Sequence, residues 1–154
     1  MIESSNKKIK LLQFPDLSGY CNISHFITTR HGGVSQGNYG SMNPGLYTSD
    51  KPDAIKKNRE ILADKIQLPV NNIITPHQTH QDKILVIDNH FMNLNGEQQT
   101  QETNGIDALI TSIPKVCISI STADCVPILI YSEDKQVVAA IHAGWRGTVQ
   151  QIAQ

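Results

Sequence analysis

Three residues far apart in the chain carry side chains that could share one ion. They are His80 in Pro-His-Gln-Thr-His, Cys125 in Thr-Ala-Asp-Cys-Val-Pro and His142 in Ile-His-Ala-Gly-Trp-Arg-Gly. Two imidazoles and one thiolate form a ligand set suited to zinc, and a fourth position left open is the mark of a catalytic site rather than a structural one. The cation would make the thiolate form accessible near neutral pH. Asp124, beside Cys125, could orient a ligand or move a proton. The plainer alternative makes Cys125 a small core residue and leaves the histidines satisfied by ordinary hydrogen bonds. His77 competes with His80, since His-x-x-His also brings two imidazoles close together.

A second constellation is Thr-Thr-Arg-His-Gly-Gly-Val-Ser at 28–35, followed by Ser-Met-Asn at 41–43. A guanidinium at the mouth of a glycine turn can take phosphate or carboxylate through paired hydrogen bonds, with bare backbone N–H groups assisting. That makes Arg30, Ser41 and Asn43 candidates for anion binding, against the alternative of a tight turn with a solvated arginine. The third is Ala-Gly-Trp-Arg-Gly at 143–147. Small residues there let the backbone approach a ligand, and Arg146 adds charge; the alternative is a strand-to-helix turn with Trp145 as a core anchor. Asn58 and Arg59 are expected to brace the preceding loop. Cys21 and Cys117 read as structural, and His25 and His90 are assigned no role.

Elements must hold these groups in place. Ile55, Leu62 and Ile66 recur at helical spacing, with Pro52 before them and Pro69 beyond, so a helix is predicted over 53–66. Short runs rich in Val, Ile and Thr predict strands over 26–29, 72–75, 83–87, 108–111, 116–121, 127–131 and 136–141. The segment 89–104 is polar, with several Gln and Asn residues, and is expected to be a surface loop. Residues 1–10 are expected to fray. Residues 148–154 look like the first turns of a helix that stops early, so further C-terminal sequence is expected.

Composition narrows the function classes. A chain of 154 residues can bury one real core. The formal charge is −1 and the basic residues are scattered, which gives no footprint for nucleic acid. No apolar run reaches membrane-spanning length and no apolar signal segment follows the N-terminus, so a cytoplasmic location is expected. Three cysteines are too few and too odd in number for a disulfide framework.

Taken in order, the motifs at 28–35, 41–43, Asn58-Arg59, Gln-Thr-His at 78–80, Asp-Ala-Leu-Ile-Thr at 107–111, Thr-Ala-Asp-Cys-Val-Pro at 122–127 and His-Ala-Gly-Trp-Arg-Gly at 142–147 resemble one family. It is the multicopper polyphenol oxidase, or laccase-domain, family, whose members are now described as purine nucleoside phosphorylases and include a bacterial peptidoglycan editing factor and mammalian FAMIN. The resemblance covers the chain from about Ser24 onward. It implies an α+β fold of stacked mixed sheets flanked by helices, a cysteine-hydrolase-like four-layer sandwich. It also implies zinc held by His80, Cys125 and His142. The implied activity is phosphorolysis of adenosine, inosine, guanosine and methylthioadenosine, with adenosine deamination beside it.

In that reading Arg30 would hold phosphate against C1′ of the ribose, and water would attack C6 of adenine in deamination. Asp124 and His77 are the candidate proton shuttles. The chain departs from the family pattern at Gln81, where glycine usually follows the histidine, and family members continue well past Gln154. Copper oxidase chemistry is the first alternative. A four-copper cluster needs many histidines in His-x-His pairs, and this chain has six histidines and no such pair. A role in editing peptidoglycan precursors, or an inactive truncated domain, are the others. Oligomeric state is not legible.

Overall fold

The computed structural model describes residues 9–154, so most of the segment expected to fray (1–8 of 1–10) lies outside the described residues. The chain divides into two compact units, Met1–Val70 and Asn71–Gln154. The architecture is mixed α+β, with several sheets and few helices, as the sequence predicts. No helix among the described residues is long and apolar enough to cross a membrane.

In the first unit, β1 (Leu11–Leu12) pairs antiparallel with β2 (Ile27–Thr28), placing Leu11 opposite Thr28. The main element is α1 (Pro52–Ile66). Pro52 occupies its first turn, where a missing N–H costs nothing, and Asp53 and Lys65 sit at the ends that the helix dipole favours. Gln67 closes it in a left-handed conformation (φ 57°), donating its N–H to Ala63 and Asp64. The buried stripe is Ile55, Asn58, Arg59, Leu62 and Ala63. Two polar residues in that stripe mark where the helix grips a loop rather than a core.

The second unit is built on a four-stranded sheet in the order β4-β5-β8-β7, formed by β4 (Ile84–Ile87), β5 (Ala108–Thr111), β7 (Val126–Ser132) and β8 (Val137–Ala143). The β4–β5 pair is parallel and the other two pairs are antiparallel. A separate parallel pair joins β3 (Ile73–Ile74) to β6 (Cys117–Ile118). Side chains alternate across the sheet. One face sends Ile87 and Leu109 into a core with Ile74, Phe91 and Ile106. The other carries Ala108, Ile141 and Ala143, packed by Ile152.

Four expectations change. Residues 89–104 are not a loop; they form α2 (Asn89–Asn93) and α3 (Gly96–Glu102). Each is started by a side-chain cap. Asp88 accepts the Phe91 N–H, and Asn95 and Gln98 form a reciprocal capping box. Phe91, 3 % exposed, anchors α2 in the core, so one aromatic outweighs the polar composition around it. The strand predicted over 116–121 shrinks to β6, because beyond Ile118 the chain turns into the loop that carries Cys125. Strand β8 runs two residues further than predicted, which puts His142 on the sheet itself. The last helix, α4 (Trp145–Val149), has Gly144 as its N-cap and so begins before 148.

Candidate metal centre

His80, Cys125 and His142 come together in the second unit, with one ligand atom of each lying within 4.8 Å of the others. Ligands of a tetrahedral zinc lie roughly 3.3–3.9 Å apart, as bond lengths of about 2.0–2.3 Å require, so even the widest pair needs to close by no more than about 1–1.5 Å. They arrive from different elements. His142 projects from the end of β8, His80 from the loop after β3, and Cys125 from the residue before β7. His142 is buried, Cys125 half-buried and His80 exposed, which leaves the cluster open on one side. The His80 and His142 rings meet edge to face, with centroids 4.8 Å apart.

Gly144 shows why the cluster fits. A Cβ built there would lie 3.1 Å from His80 Cδ2, 3.3 Å from Cys125 Sγ and 3.7 Å from His142 Cε1. The backbone therefore passes against all three ligands at the one position that carries no side chain. Any larger residue would fill the space into which the donor atoms converge.

The group that organises this cluster is Asp107, which is fully buried at the start of β5. Its Oδ1 accepts from His142 Nδ1 at 2.7 Å and from the His80 N–H at 2.9 Å. Its Oδ2 accepts from the N–H groups of Thr79 at 3.1 Å and Gln81 at 2.9 Å. Its backbone carbonyl takes the His142 N–H at 2.8 Å. Burial raises the carboxyl's proton affinity, but hydrogen bonds from His142, Gln81, Thr79 and His80 together hold it below the ordinary carboxylate range. A carboxylate at Asp107 accepts from the proton-bearing Nδ1 of His142 and so leaves Nε2 as the ring nitrogen facing away from it, the one available to a metal. His80 itself is left-handed (φ 62°), a conformation costing about 1 kcal/mol, and three successive N–H bonds to one carboxylate hold it there.

The other expected residues divide. His77 lies outside the trio; its Nδ1 meets Asn104 Oδ1 at 2.7 Å and its backbone bridges to residues 103–105. Asp124 is exposed, and the carboxylate hydrogen-bonded to the candidate ligand His142 is that of Asp107. Gln81, the departure from the family pattern, serves through its backbone N–H alone. Trp145 is 73 % exposed rather than a core anchor, with the Arg146 guanidinium 5.3 Å from its ring centroid. Cys21, Cys117 and Cys125 are not joined by disulfides, and Cys21 is exposed. His25 is buried and satisfied, with Nε2 accepting the Phe14 N–H at 2.7 Å.

Within the first unit, Arg30 turns its Nε and Nη2 onto the Gly40 carbonyl at 2.9 and 2.7 Å. Ser41 Oγ donates to the Arg30 carbonyl and accepts the Gly33 N–H. Asn43 Nδ2 donates to Thr48 Oγ1 and Asp50 Oδ2. These three polar side chains thus spend hydrogen bonds on the shape of their own loop. Asn58, fully buried, secures it. Its Nδ2 lies 2.8–3.2 Å from Ser35 Oγ and the Ser41 and Asn43 carbonyls, and its Oδ1 accepts the Val34 N–H. Arg59 Nη1 adds a bond to the Pro44 carbonyl.

Sequence reasoning assigned no role to Asp107 or to Gln78, whose side chain holds the chain at Ser121. Asp107 left one signal: a lone acid directly before the apolar run Ala-Leu-Ile-Thr, where a buried charge requires partners.

The model of the family described as multi-copper polyphenol oxidoreductase laccase matches residues 24–154. A purine nucleoside phosphorylase of Bacteroides thetaiotaomicron is 42 % identical over 98 % of this chain and 56 % of its own length. Adenosine deaminase RL5, from an unknown prokaryote, is 35 % identical over 86 % of the chain and 50 % of its own length. Among solved structures, a Neisseria meningitidis protein superposes with a TM-score of 0.75 at 34 % identity, over 96 % of this chain and 55 % of its own. YlmD from Geobacillus stearothermophilus gives 0.75 at 34 % identity, over 83 % and 47 %. The chain thus spans about half the length of these relatives.

Proposed function

Because the chain belongs to the multi-copper polyphenol oxidoreductase laccase family, we propose that it carries the zinc site of a purine nucleoside phosphorylase with adenosine deaminase as a companion activity. The observation that carries this reading is the convergence of His80, Cys125 and His142 against Gly144, with His142 already turned by Asp107. Relatives bearing the two activity names support purine nucleoside and phosphate as the substrate class. A cytoplasmic location goes with that substrate.

Zinc, when bound by the trio, supplies Lewis acidity that stabilises negative charge developing on the substrate. The protein's own groups do the rest. In phosphorolysis a phosphate oxygen forms a bond to C1′, the bond from C1′ to the purine nitrogen breaks, and that nitrogen must take a proton. Asp124, exposed beside Cys125, is the proposed carrier of that proton. Arg146, two residues beyond Gly144, is the proposed anion contact in the second unit. Taken by itself, the first unit offers Arg30 as its proposed phosphate contact, with Ser41 and Asn43 shaping its loop. Such contacts accelerate the reaction to the extent that they strengthen in the transition state.

The competing reading, copper-dependent phenol oxidation, draws on the family's description. One assay separates them. The protein is loaded with zinc or copper, then given adenosine and phosphate or a phenol. Adenine or inosine formed by the zinc protein, and lost by at least about 100-fold in Cys125→Ala, is the expected result. Normal turnover by Cys125→Ala, or activity confined to copper and phenol, would overturn it.

A further inference from the structure

Three ligands drawn from three separate stretches of chain need something to hold them in register before an ion arrives. We propose that Asp107 and Gln78 are positioning residues that preassemble the trio, with Asp107 governing the two histidines and Gln78 governing the cysteine. This rests on the reading that the trio holds a metal.

Loop 77–81 is the hub. On one side its three N–H groups close on Asp107, the same carboxylate that fixes the His142 ring. On the other side Gln78 reaches the segment that leads to Cys125. Its Nε2 donates to the Ser121 carbonyl at 2.8 Å and its Oε1 accepts the Ser121 N–H at 2.7 Å. That paired exchange copies what one strand residue does for another. It sets both the position and the direction of the backbone four residues ahead of Cys125. Residues 122–124 are exposed and form no regular element, so this clamp is the tie that links their entry point to the His80 loop. At the far end, Val126 opens β7 opposite Ala143, which fixes the exit. Cys125 is therefore held between a side-chain clamp and a sheet register, and the histidines are held by one buried carboxylate.

The chemistry of each partner set explains its residue. Four donors face Asp107, and only an ionised carboxylate accepts from all of them. One donor and one acceptor face Gln78, and only an amide answers both. Groups that orient metal ligands in this way are worth roughly 10–100-fold in metal affinity when removed.

The test uses cobalt(II) as the probe, because its thiolate charge-transfer band reports the sulfur ligand separately from the ligand-field bands that report overall geometry. Gln78→Met keeps the side-chain length and removes both hydrogen bonds at a half-buried position. It is expected to bind cobalt roughly 10-fold more weakly and to lose thiolate intensity per bound ion. Asp107→Asn is expected to lose roughly 10–100-fold in affinity, and in the metal-free protein to lose the fixed Nδ1–H tautomer of His142 seen by nitrogen NMR. Wild-type affinity and wild-type spectra in Gln78→Met would overturn the proposal, as would a uniform weakening with an unchanged thiolate band. Should Asp107→Asn fail to fold, Gln78→Met decides alone. A wild-type protein that binds neither cobalt nor zinc would instead sink the metal reading itself, and this proposal with it.

Discussion

Two motif-bearing loops, one in each unit, are each held by a single fully buried polar side chain, and the two side chains are opposite in kind. Asn58 holds the glycine-rich loop in the first unit; Asp107 holds loop 77–81 in the second. Asn58 faces two carbonyls, a hydroxyl and one N–H, a mixed set that an amide can satisfy from its two ends. Asp107 faces donors only. The two residues differ by one atom's identity, yet neither could replace the other, because the partners fix the polarity that the centre must have. The comparison also separates their purposes. Asn58 spends its bonds on a loop shape, whereas Asp107 spends its own on two metal-ligand candidates.

The exchange substitution breaks the first loop most severely. Asn58→Asp would put a carboxylate against the Ser41 and Asn43 carbonyls, with Asp50 already claiming the Ser35 hydroxyl at 2.5 Å. A buried charge with the Val34 N–H as its donor and carbonyls on its other oxygen costs on the order of 3–5 kcal/mol, so denaturant unfolding is expected to show the first unit strongly destabilised. Wild-type stability would mean that the loop, and not Asn58, supplies the order. Next in size is Gly33→Ala. Its Cβ would sit 2.3 Å from the Ser41 carbonyl oxygen, 2.4 Å from Asn58 Oδ1 and 2.5 Å from Met42 Cα, two of them backbone atoms. The expected loss is about 3 kcal/mol from overpacking, read by the same unfolding experiment.

The same contrast shows what the sequence could disclose. The metal-ligand candidates were visible as residue types beside strand-like runs, because donor chemistry is written in the side chain itself. Much of the framework is visible too: α1 from the spacing of Ile55 and Leu62, and β5 from Ala-Leu-Ile-Thr. Residues that act by holding others were not. Nothing local marks Gln78 as a clamp on Ser121, 43 residues away, or Asp107 as the partner of His142, 35 residues away. Such roles exist only once the fold has closed. The missed helices α2 and α3 are a different failure. Their caps, Asp88 and the Asn95–Gln98 pair, lie in plain sequence order, but the Gln- and Asn-rich composition around them argues for a loop and masks the capping pattern.

Gly144 sharpens the comparison from the other side, since its neighbours are side chains rather than backbone. Gly144→Ala places a methyl group 3.1–3.7 Å from all three ligands, a spacing that flexible rings can yield to by a few tenths of an ångström. The unfolding free energy is therefore expected to change by less than about 1 kcal/mol, well below the effect at Gly33. Metal affinity is expected to fall roughly tenfold, because the ligands must move away from the point where they now converge. Zinc competition against a chromophoric chelator measures this. An unfolded Gly144→Ala protein, or one with full affinity, would show that the two glycines do not differ in kind.

The smallest expected effect tests the periphery of the first loop. Asp50 accepts from Ser35 Oγ, from its neighbour Lys51 and from Asn43, tying both ends of the glycine-rich segment. The Ser35 hydrogen bond is the largest influence on its acidity. Partial burial works against it, and the Lys51 N–H, the Asn43 amide and the Lys51 charge add to it, so the carboxyl lies below its usual 3.8. A carboxyl more acidic folded than unfolded contributes stability that is fully present above 3.8 and disappears as pH falls through its folded value. Asp50→Asn is expected to flatten that part of the pH–stability profile of the first unit, leaving the profile above pH 5 parallel to wild type. Chemical denaturation between about pH 2 and 5 makes the measurement. An unchanged slope in Asp50→Asn would mean that other carboxyls carry the acid sensitivity, and that Asn58 alone secures the loop.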